Sequence, residues 1–443
     1  MLAVKKTLAE NRHRLLQRLA EARIRTDSLF ELISPAALYE RPVAERHRII
    51  FYLGHLEAFD WNLFHDRLSG LKAFAPEFDR LFAFGIDPVG DGLPTDVPAD
   101  WPSEAAIRHY NRRVRVTLDA ALLGLEPMGP HGEESPDLLL NVAIEHRLMH
   151  AETLAYLLNR LPPELKRRPP IAPRIVAPEF IPGQVEIPAG SATLGRARTD
   201  TDSFGWDNEH EEQSVEVPAF TIDRYPVSNG QFLEFMAAGG YEERACWSES
   251  DWRWRSEQNI SHPAFWTRCD VRWYYRGMFD LLPLPKQWPV YVSQAEARAY
   301  ARWAGKTLPT EAQWQRAAYG NPDGRENPYP WGEVPPLSGL GNFNFRGWDP
   351  VPLGAFPENR SAFGVMGLLG NGWEWTSTVF APFPGFRSFA GYPGYSADFF
   401  DGKHFVLKGG SARTAACLLR RSFRNWFQPH YPYVYAGFRC VIG

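Results

Sequence analysis

The sequence predicts an α+β protein of two domains, in which an N-terminal four-helix bundle precedes a domain of short strands, short helices and long loops. Three observations support this prediction. Residues 1–161 carry apolar side chains at helical spacing, and residues 162–182 contain seven prolines. Residues 183–443 hold most of the 16 Trp and show short strand-like runs between Gly, Pro and Asn turns. A chain of 443 residues also exceeds the usual size of a single hydrophobic core.

Four helices are predicted in the first domain, and each has a signal at one end. They run from Leu2 to Arg25, from about Val43 to Leu68, from Ser103 to Leu125 and from about Pro136 to Leu161. Ser103 is a suitable N-cap, and the pair Pro162–Pro163 ends the last helix. Four amphipathic helices of this length are typical of a bundle.

Residues 162–182 are predicted to be a stiff linker because of their proline content. The alternative is a Pro-rich loop packed on one of the domains. Residues 183–443 then form the second domain. Its strand-like runs lie at 185–190, 215–220, 405–410 and 437–443, and helices are predicted at Ser228–Ala238, Ser293–Ala304 and Thr310–Tyr319, with Thr310 as a cap.

Charge and composition exclude several classes of protein. The formal net charge is −4 without a dense Lys/Arg run, which argues against nucleic-acid and membrane-surface binding. The N-terminal residues are charged throughout, unlike a signal peptide, and no stretch of about 18 apolar residues could span a bilayer. The four cysteines are widely spaced and form no CxxC pair, so a reducing compartment is expected. We therefore expect a cytoplasmic protein.

Three histidines form the strongest chemical signal. His146 and His150 share one helix face at i and i+4, and His55 lies in the middle of another predicted helix. Three imidazoles on one side of an ion would leave adjacent positions open for a substrate and dioxygen, as Fe(II) chemistry requires, although zinc also accepts three histidines. Ordinary surface or packing histidines are the alternative. Glu145 and Glu152 could accept hydrogen bonds from the rings or could be solvated helix charges.

Two sets of motifs resemble known families. The segments HLEAFDWNLF (55–64) and EHRLMHAETL (145–154) resemble the DinB-like bundle. The second domain is similar to the formylglycine-generating or sulfatase-modifying domain, a variant of the C-type lectin fold. The segments that carry this similarity are FGWDNE (204–209), 220–241, 289–318, GNGWEWT (370–376), LKGGS (407–411), RRSFRNWF (420–427) and AGFRCV (436–441). In this order the two domains resemble the ergothioneine synthases.

This resemblance implies an enzyme that uses Fe(II) and O2 to join sulfur to the imidazole of hercynine, which is trimethylhistidine. The implied iron ligands are His55, His146 and His150. The implied proton or electron donor near the iron is Tyr392. The resemblance also implies that the quaternary ammonium group of hercynine is bound by Asn425, Trp426, Tyr392 and Tyr395, because ring faces attract a cation that cannot donate a hydrogen bond. A structural calcium ion at GNGWEWT is a further implication.

The chain departs from this family where a charged sulfur donor would bind. Members that use γ-glutamylcysteine or cysteine have an acid after the Asn–Trp pair, where this chain has Phe427. Some of them also have a pair of arginines after the second helix that could bind a carboxylate, whereas the matching region of this chain has only Arg80, which is out of place. We therefore predict the related selenoneine synthase reaction, in which a selenosugar donates selenium to hercynine. The alternatives are an ergothioneine synthase that uses a thiol, a zinc-dependent transferase and a non-catalytic lectin-like binding module.

Overall fold

The computed structural model describes residues 2–68, 70–83, 92–124, 135–170, 174–200 and 203–443. These residues form two compact units. The first comprises the described residues up to 170 together with Phe389–Pro393, and the second comprises the remainder. The inclusion of residues 389–393 in the first unit was not predicted, because the sequence places them in the middle of the second domain.

The first unit is a helical bundle. Helices α1 and α5 pack together, and α2 packs against both α4 and α5. Nearly every side chain of α2 is buried, so this helix lies at the centre of the unit. The helices are α1 Leu2–Phe30, α2 Ile49–His65, α3 Pro76–Leu81, α4 Glu104–Leu123 and α5 Pro136–Arg160.

Two helix boundaries differ from the prediction. Helix α1 continues five residues past Arg25, and α2 begins at Ile49 rather than near Val43. The later start follows from Arg48, whose extended backbone (ψ 154°) cannot belong to a helix. The predicted cap at Ser103 is confirmed, since its hydroxyl accepts the N–H of Ala106 at 3.3 Å. The predicted end of this helix at Leu125 lies outside the described residues.

Part of the predicted linker lies on the bundle. The backbone N–H of Ser34 donates to Leu165 at 2.9 Å, and Ile33 forms a β-bridge with Lys166. Residues 165–167 therefore continue the first unit as a short antiparallel contact with residues 32–34.

The described residues of the second unit form four small sheets among long loops. A three-stranded sheet has the order β1-β4-β12, a four-stranded sheet β10-β9-β8-β11, and the others β2-β3 and β5-β6-β7. Among the strand pairs of the described residues, only β8–β11 is parallel. The strands are β1 Gln184–Ile187, β2 Gly190–Leu194, β3 Gln213–Val217, β4 Phe220–Asp223, β5 Trp266–Cys269, β6 Arg272–Arg276, β7 Leu281–Pro283, β8 Gly372–Val379, β9 Phe405–Gly410, β10 Asn425–Phe427, β11 Ala436–Gly437 and β12 Val441–Ile442.

In the part of the second unit that the structure describes there are four α-helices. They are α6 Asn229–Ala237, α7 Glu249–Glu257, α8 Gln294–Trp303 and α9 Glu311–Tyr319. Three were predicted, and Thr310 caps α9 as expected by accepting the N–H of Gln313 at 3.1 Å. Helix α7 was missed because its sequence ESDWRWRSE is polar and mostly unburied, without an apolar stripe. The N-cap residue Ser248 was the feature of the sequence that could have predicted this helix.

The predicted α+β class is confirmed, with helices first and sheets after them. Helix α9 places Trp314 in the core of the second unit beside Ile222 and Val441. Among the described residues no helix is long and apolar enough to cross a membrane.

Candidate metal centre

Three histidines of the first unit meet inside the bundle. His55 comes from α2, and His146 and His150 come from successive turns of α5. All three are buried, with exposed fractions of 3%, 2% and 0%. One ring nitrogen from each lies within 4.8 Å of the other two, and no other group of His, Cys, Asp or Glu in the described ranges has this ligand geometry.

The ring nitrogens point at one another. The Nε2 atoms of His146 and His150 are 3.1 Å apart, and the ring centroid of His55 lies 5.3 and 4.9 Å from theirs. Nitrogen ligands about 2.1 Å from one ion are about 3.0 Å apart at an octahedral angle and about 3.4 Å apart at a tetrahedral one. The observed separation is closer to the octahedral value.

The hydrogen bonds of the rings fit metal ligation. His55 Nδ1 lies 2.7 Å from the carbonyl oxygen of Phe82, which fixes the proton on Nδ1 and leaves the Nε2 lone pair available. His55 Nε2 has no hydrogen-bond partner. A buried polar atom without a partner costs about 1–3 kcal/mol, so a cation bound here would remove an unfavourable arrangement. The site therefore fits a divalent metal.

The protonation states of the three histidines also fit metal ligation. Burial lowers the pKa of His55 to about 4, and burial lowers the pKa of His146 and His150 well below the usual value. The neighbouring histidines and Arg147 lower these pKa values further. Because a metal binds the neutral imidazole, the bundle holds all three rings in the form that a metal requires.

The two glutamates that flank the pair do not bond to the rings. His146 Nδ1 and His150 Nδ1 have no hydrogen-bond partner, so neither Glu145 nor Glu152 accepts from them. Glu145 is only 2% exposed, and it is therefore not a solvated helix charge either.

Two aromatic residues lie beside the histidine cluster. Phe59 stacks on His146 with ring centroids 3.4 Å apart and planes within 12°. Tyr392, in the segment 389–393, contacts Phe59 edge-on at 5.1 Å and lies 6.1 Å from His146. Sequence reasoning missed Phe59, although its position four residues after His55 places it on the same helix face. The structure thus brings Tyr392 to the predicted ligands.

The other predicted residues cluster in the second unit. Tyr395 stacks on Trp206 with centroids 3.8 Å apart and meets Trp426 nearly at a right angle, at 5.3 Å. One face of Trp426 is covered by Phe380 at 4.2 Å. Tyr395 and Trp426 therefore form two walls of an aromatic corner, and Trp206 was not predicted to support it.

Strand β10 carries the remaining two predicted residues. The side-chain oxygen of Asn425 accepts the N–H of Trp426 at 2.9 Å, which holds the amide at the start of the strand. Phe427 lies parallel to Tyr431, with centroids 5.5 Å apart and planes within 3°. Tyr433 meets Tyr431 edge-on at 5.2 Å. An aromatic stack therefore occupies the position after the Asn–Trp pair.

The side chains of the GNGWEWT motif are engaged within the protein. Both carboxylate oxygens of Glu374 accept from Arg439, at 2.6 and 2.7 Å. The side-chain oxygen of Asn371 accepts from Asn342 and from the backbone of Val351. Neither side chain offers an uncommitted oxygen to calcium, so a calcium ion here stays a prediction based on the resemblance.

Known proteins resemble both units. Residues 18–154 match the DinB superfamily, and residues 174–443 match the sulfatase-modifying factor enzyme 1-like domain. A hercynine oxygenase from Mycolicibacterium smegmatis is 33% identical over 444 residues, covering 97% of this chain and 99% of that protein. A hercynine oxygenase from Mycobacterium tuberculosis is 35% identical over 350 residues, covering 76% of this chain and 78% of that protein. Ergothioneine biosynthesis protein 1 of Neurospora crassa is 28% identical over 506 residues, covering 93% of this chain and 55% of that protein.

Proposed function

Because the chain belongs to the hercynine oxygenase family, with its DinB bundle and sulfatase-modifying factor domain, we propose that it is an Fe(II)- and O2-dependent enzyme acting on hercynine. The proposed reaction forms a carbon–selenium bond at the imidazole of hercynine, with a selenosugar as donor. The observation that carries the proposal is the buried cluster of His55, His146 and His150.

Iron is the metal that this cluster favours. Three neutral nitrogens on one side of an octahedral ion leave neighbouring positions for a substrate and O2. When bound, Fe(II) would supply the electrons and the open positions that O2 chemistry needs. Zinc would bind the same three residues, but it has no redox chemistry and prefers a tetrahedral site. The 3.1 Å separation of the His146 and His150 nitrogens is short enough for both to bind one ion.

The aromatic corner of the second unit would bind the ammonium group of hercynine. A quaternary ammonium has no N–H to donate, and the negative face of a ring attracts it instead. Tyr395 and Trp426 stand nearly perpendicular, so they present two surfaces to one cation. Asn425, held by its bond to the backbone, would add a fixed amide dipole at the edge of this corner.

Tyr392 would move a proton at the site. Its ring contacts Phe59 and lies next to His146, whereas Tyr395 and Trp426 belong to the second unit. A phenol can donate a proton to an oxygen atom formed during O2 reduction and can later recover it. The flat contact of Phe59 on His146 would fix the ring of this ligand and exclude water from one side of it.

The aromatic stack at Phe427 and Tyr431 favours a neutral donor. A carboxylate placed against two ring planes would lose hydration without gaining a partner. A sugar has apolar faces that pack well on rings, and a selenosugar would suit these walls. Arg115 on α4 would not serve as a clamp for a donor carboxylate, since it pairs with Asp27 and Glu57.

Product analysis tests the proposal. The protein is loaded with Fe(II) without oxygen, mixed with hercynine and one donor, exposed to O2 and examined by mass spectrometry. We expect a hercynine–selenium product from the selenosugar and none from γ-glutamylcysteine or cysteine. A sulfoxide from either thiol would overturn the selenium donor and would favour ergothioneine synthesis. No O2-dependent product from any donor would overturn the enzymatic function.

A further inference from the structure

A network of charged side chains connects the four long helices of the bundle. Asp27 on α1 and Arg115 on α4 form a two-pronged ion pair, with N–O distances of 2.7 and 2.8 Å. Arg115 also donates to Glu57 on α2 at 2.6 and 2.9 Å. Glu57 in turn accepts from Arg147 on α5, with two N–O distances of 3.1 Å. Negative and positive groups thus alternate from one helix to the next.

Arg147 is the most enclosed member of this network. Its side chain is 0% exposed, and those of its partners Glu57 and Asp60 are 1% exposed. One nitrogen, Nη2, donates to Asp60 at 2.6 Å and to the backbone carbonyl of Leu56 at 2.9 Å. The guanidinium therefore binds two side chains and the backbone of α2 together.

These contacts lie in the same helical turns as the three histidines. Arg147 follows His146 directly on α5, and its acceptor Leu56 follows His55 directly on α2. Adjacent residues of a helix point in different directions. Arg147 can therefore hold α2 in place without occupying the side on which the imidazoles meet.

Stability alone does not explain such a network. A buried group of ion pairs can often be replaced by apolar residues without loss of stability, because desolvation offsets the attraction. Its better-attested role is to fix one arrangement of the packed helices. A slide of α2 by one residue would displace His55 by about 1.5 Å along the axis and by about 100° around it.

We propose that Arg147 is a positioning residue, which fixes α2 against α5 so that the imidazole of His55 reaches the ion held by His146 and His150. Arginine suits this role because its planar fork reaches several acceptors at defined angles, whereas lysine is a single flexible point charge. The inference rests on the metal centre of the proposed function.

Two variants test the proposal. Arg147→Lys keeps the charge and loses the fork. The double variant Arg147→Met with Asp60→Asn removes one positive and one negative group, and Glu57 keeps its pair with Arg115. For each protein we would measure Fe(II) affinity by chelator competition, the EPR spectrum of the Fe(II)–nitrosyl complex, and thermal unfolding of the metal-free form.

We expect both variants to bind Fe(II) at least about tenfold more weakly than the wild type and to give a changed EPR spectrum. Arg12→Met is the matched control. It breaks another largely buried ion pair, at 3.1 Å between Arg12 on α1 and Asp137 on α5. Asp137 lies nine residues before His146 in the sequence. The control should lower the unfolding temperature while leaving Fe(II) affinity and spectrum unchanged.

Variants of Arg147 that unfold at lower temperature but keep the affinity and spectrum of the wild type would show a structural role alone and overturn the proposal. A wild-type protein that binds no Fe(II) would overturn the metal centre itself, and the positioning role with it. Wild-type binding therefore separates the failure of the proposed function from the failure of this inference.

Discussion

Tyr392 lies edge-on to His146, with ring centroids 6.1 Å apart and ring planes at 83°. The tyrosine comes from a five-residue segment that belongs to the helical unit, although its neighbours in sequence on both sides belong to the other unit. This arrangement brings a phenol next to a residue that we propose as an iron ligand.

Removal of that phenol should slow the reaction without releasing the metal. Tyr392→Phe keeps the ring against Phe59 and His146 and loses only the proton donor. We expect kcat to fall by about 100-fold, the lower end for general acid–base groups, with Fe(II) content unchanged. Tyr395→Phe is the control, because ring faces rather than a hydroxyl would bind the ammonium. Equal rates for Tyr392→Phe and the wild type would contradict the proton-transfer role.

Loss of one ligand should abolish metal binding. His146→Ala leaves two imidazoles, and we expect the iron content after reconstitution to fall below about a tenth of the wild-type value, together with activity. His65→Ala is the control, since His65 lies on α2 but bonds to Asp66 at 2.7 Å. A non-catalytic binding module would keep its ligand affinity in both variants. Full iron content in His146→Ala would disprove the assignment.

The aromatic corner should determine the affinity for hercynine. Trp426→Leu removes one ring face from the proposed ammonium site, and we expect KM for hercynine to rise about tenfold, consistent with about 1–2 kcal/mol for one cation–π contact. Trp426→Phe should restore most of the affinity. The comparison uses steady-state kinetics with a saturating donor, and an unchanged KM in Trp426→Leu would exclude Trp426 from the substrate site.

The residue after the Asn–Trp pair should influence the choice of donor. Phe427→Asp introduces the acid that thiol-using relatives carry at this position. We expect the ratio of thiol-derived to selenium-derived product to increase in a mixture of both donors, because the new carboxylate can pair with an ammonium group. Phe427→Leu keeps the site apolar and controls for the loss of the stack on Tyr431. The same ratio in both variants would exclude this role of Phe427.

Stability should depend on pH through Lys408 in the second unit. Burial lowers the pKa of Lys408 to about 8, and its ammonium donates hydrogen bonds to the backbone carbonyls of Arg421 and Phe423. Between pH 8 and the unfolded value of about 10.4, the unfolded chain binds this proton and the folded chain does not. The lowered pKa therefore makes stability increase as pH rises through this window, by up to about 3 kcal/mol.

Urea unfolding of the wild type and of Lys408→Met at several pH values isolates this effect. The free energy of unfolding of the wild type, minus that of the variant, should increase from pH 8 to pH 10.4. A flat difference would mean that folding does not lower the pKa of Lys408.

The local parts of this architecture were predictable from the sequence. The i and i+4 spacing of His146 and His150 placed them on one helix face, and the caps at Ser103 and Thr310 follow from side-chain chemistry within a few residues. His55 was predicted from its place in an apolar helix. These signals depend on neighbours in the chain.

Contacts between distant residues were not predictable. Arg147 pairs with Glu57 across 90 positions, and nothing in the local sequence distinguishes it from a solvated arginine. The stacking of Phe59 on His146 likewise depends on how the helices pack. The place of Tyr392 near the histidines was expected from the family resemblance alone, and no local pattern in the sequence indicates it. The start of α2 at Ile49 was missed because the extended conformation of Arg48 depends on such packing as well.

We propose that the three histidines hold an iron ion that makes O2 react with hercynine. The most direct experiment compares O2 consumption by Fe(II)-loaded and Zn(II)-loaded protein in the presence of hercynine and the selenosugar. The amount of product is measured in the same samples. We predict that only the iron form consumes O2, in proportion to the product and only when hercynine is added. Equal product from the zinc form, or product formed without O2, would contradict the account.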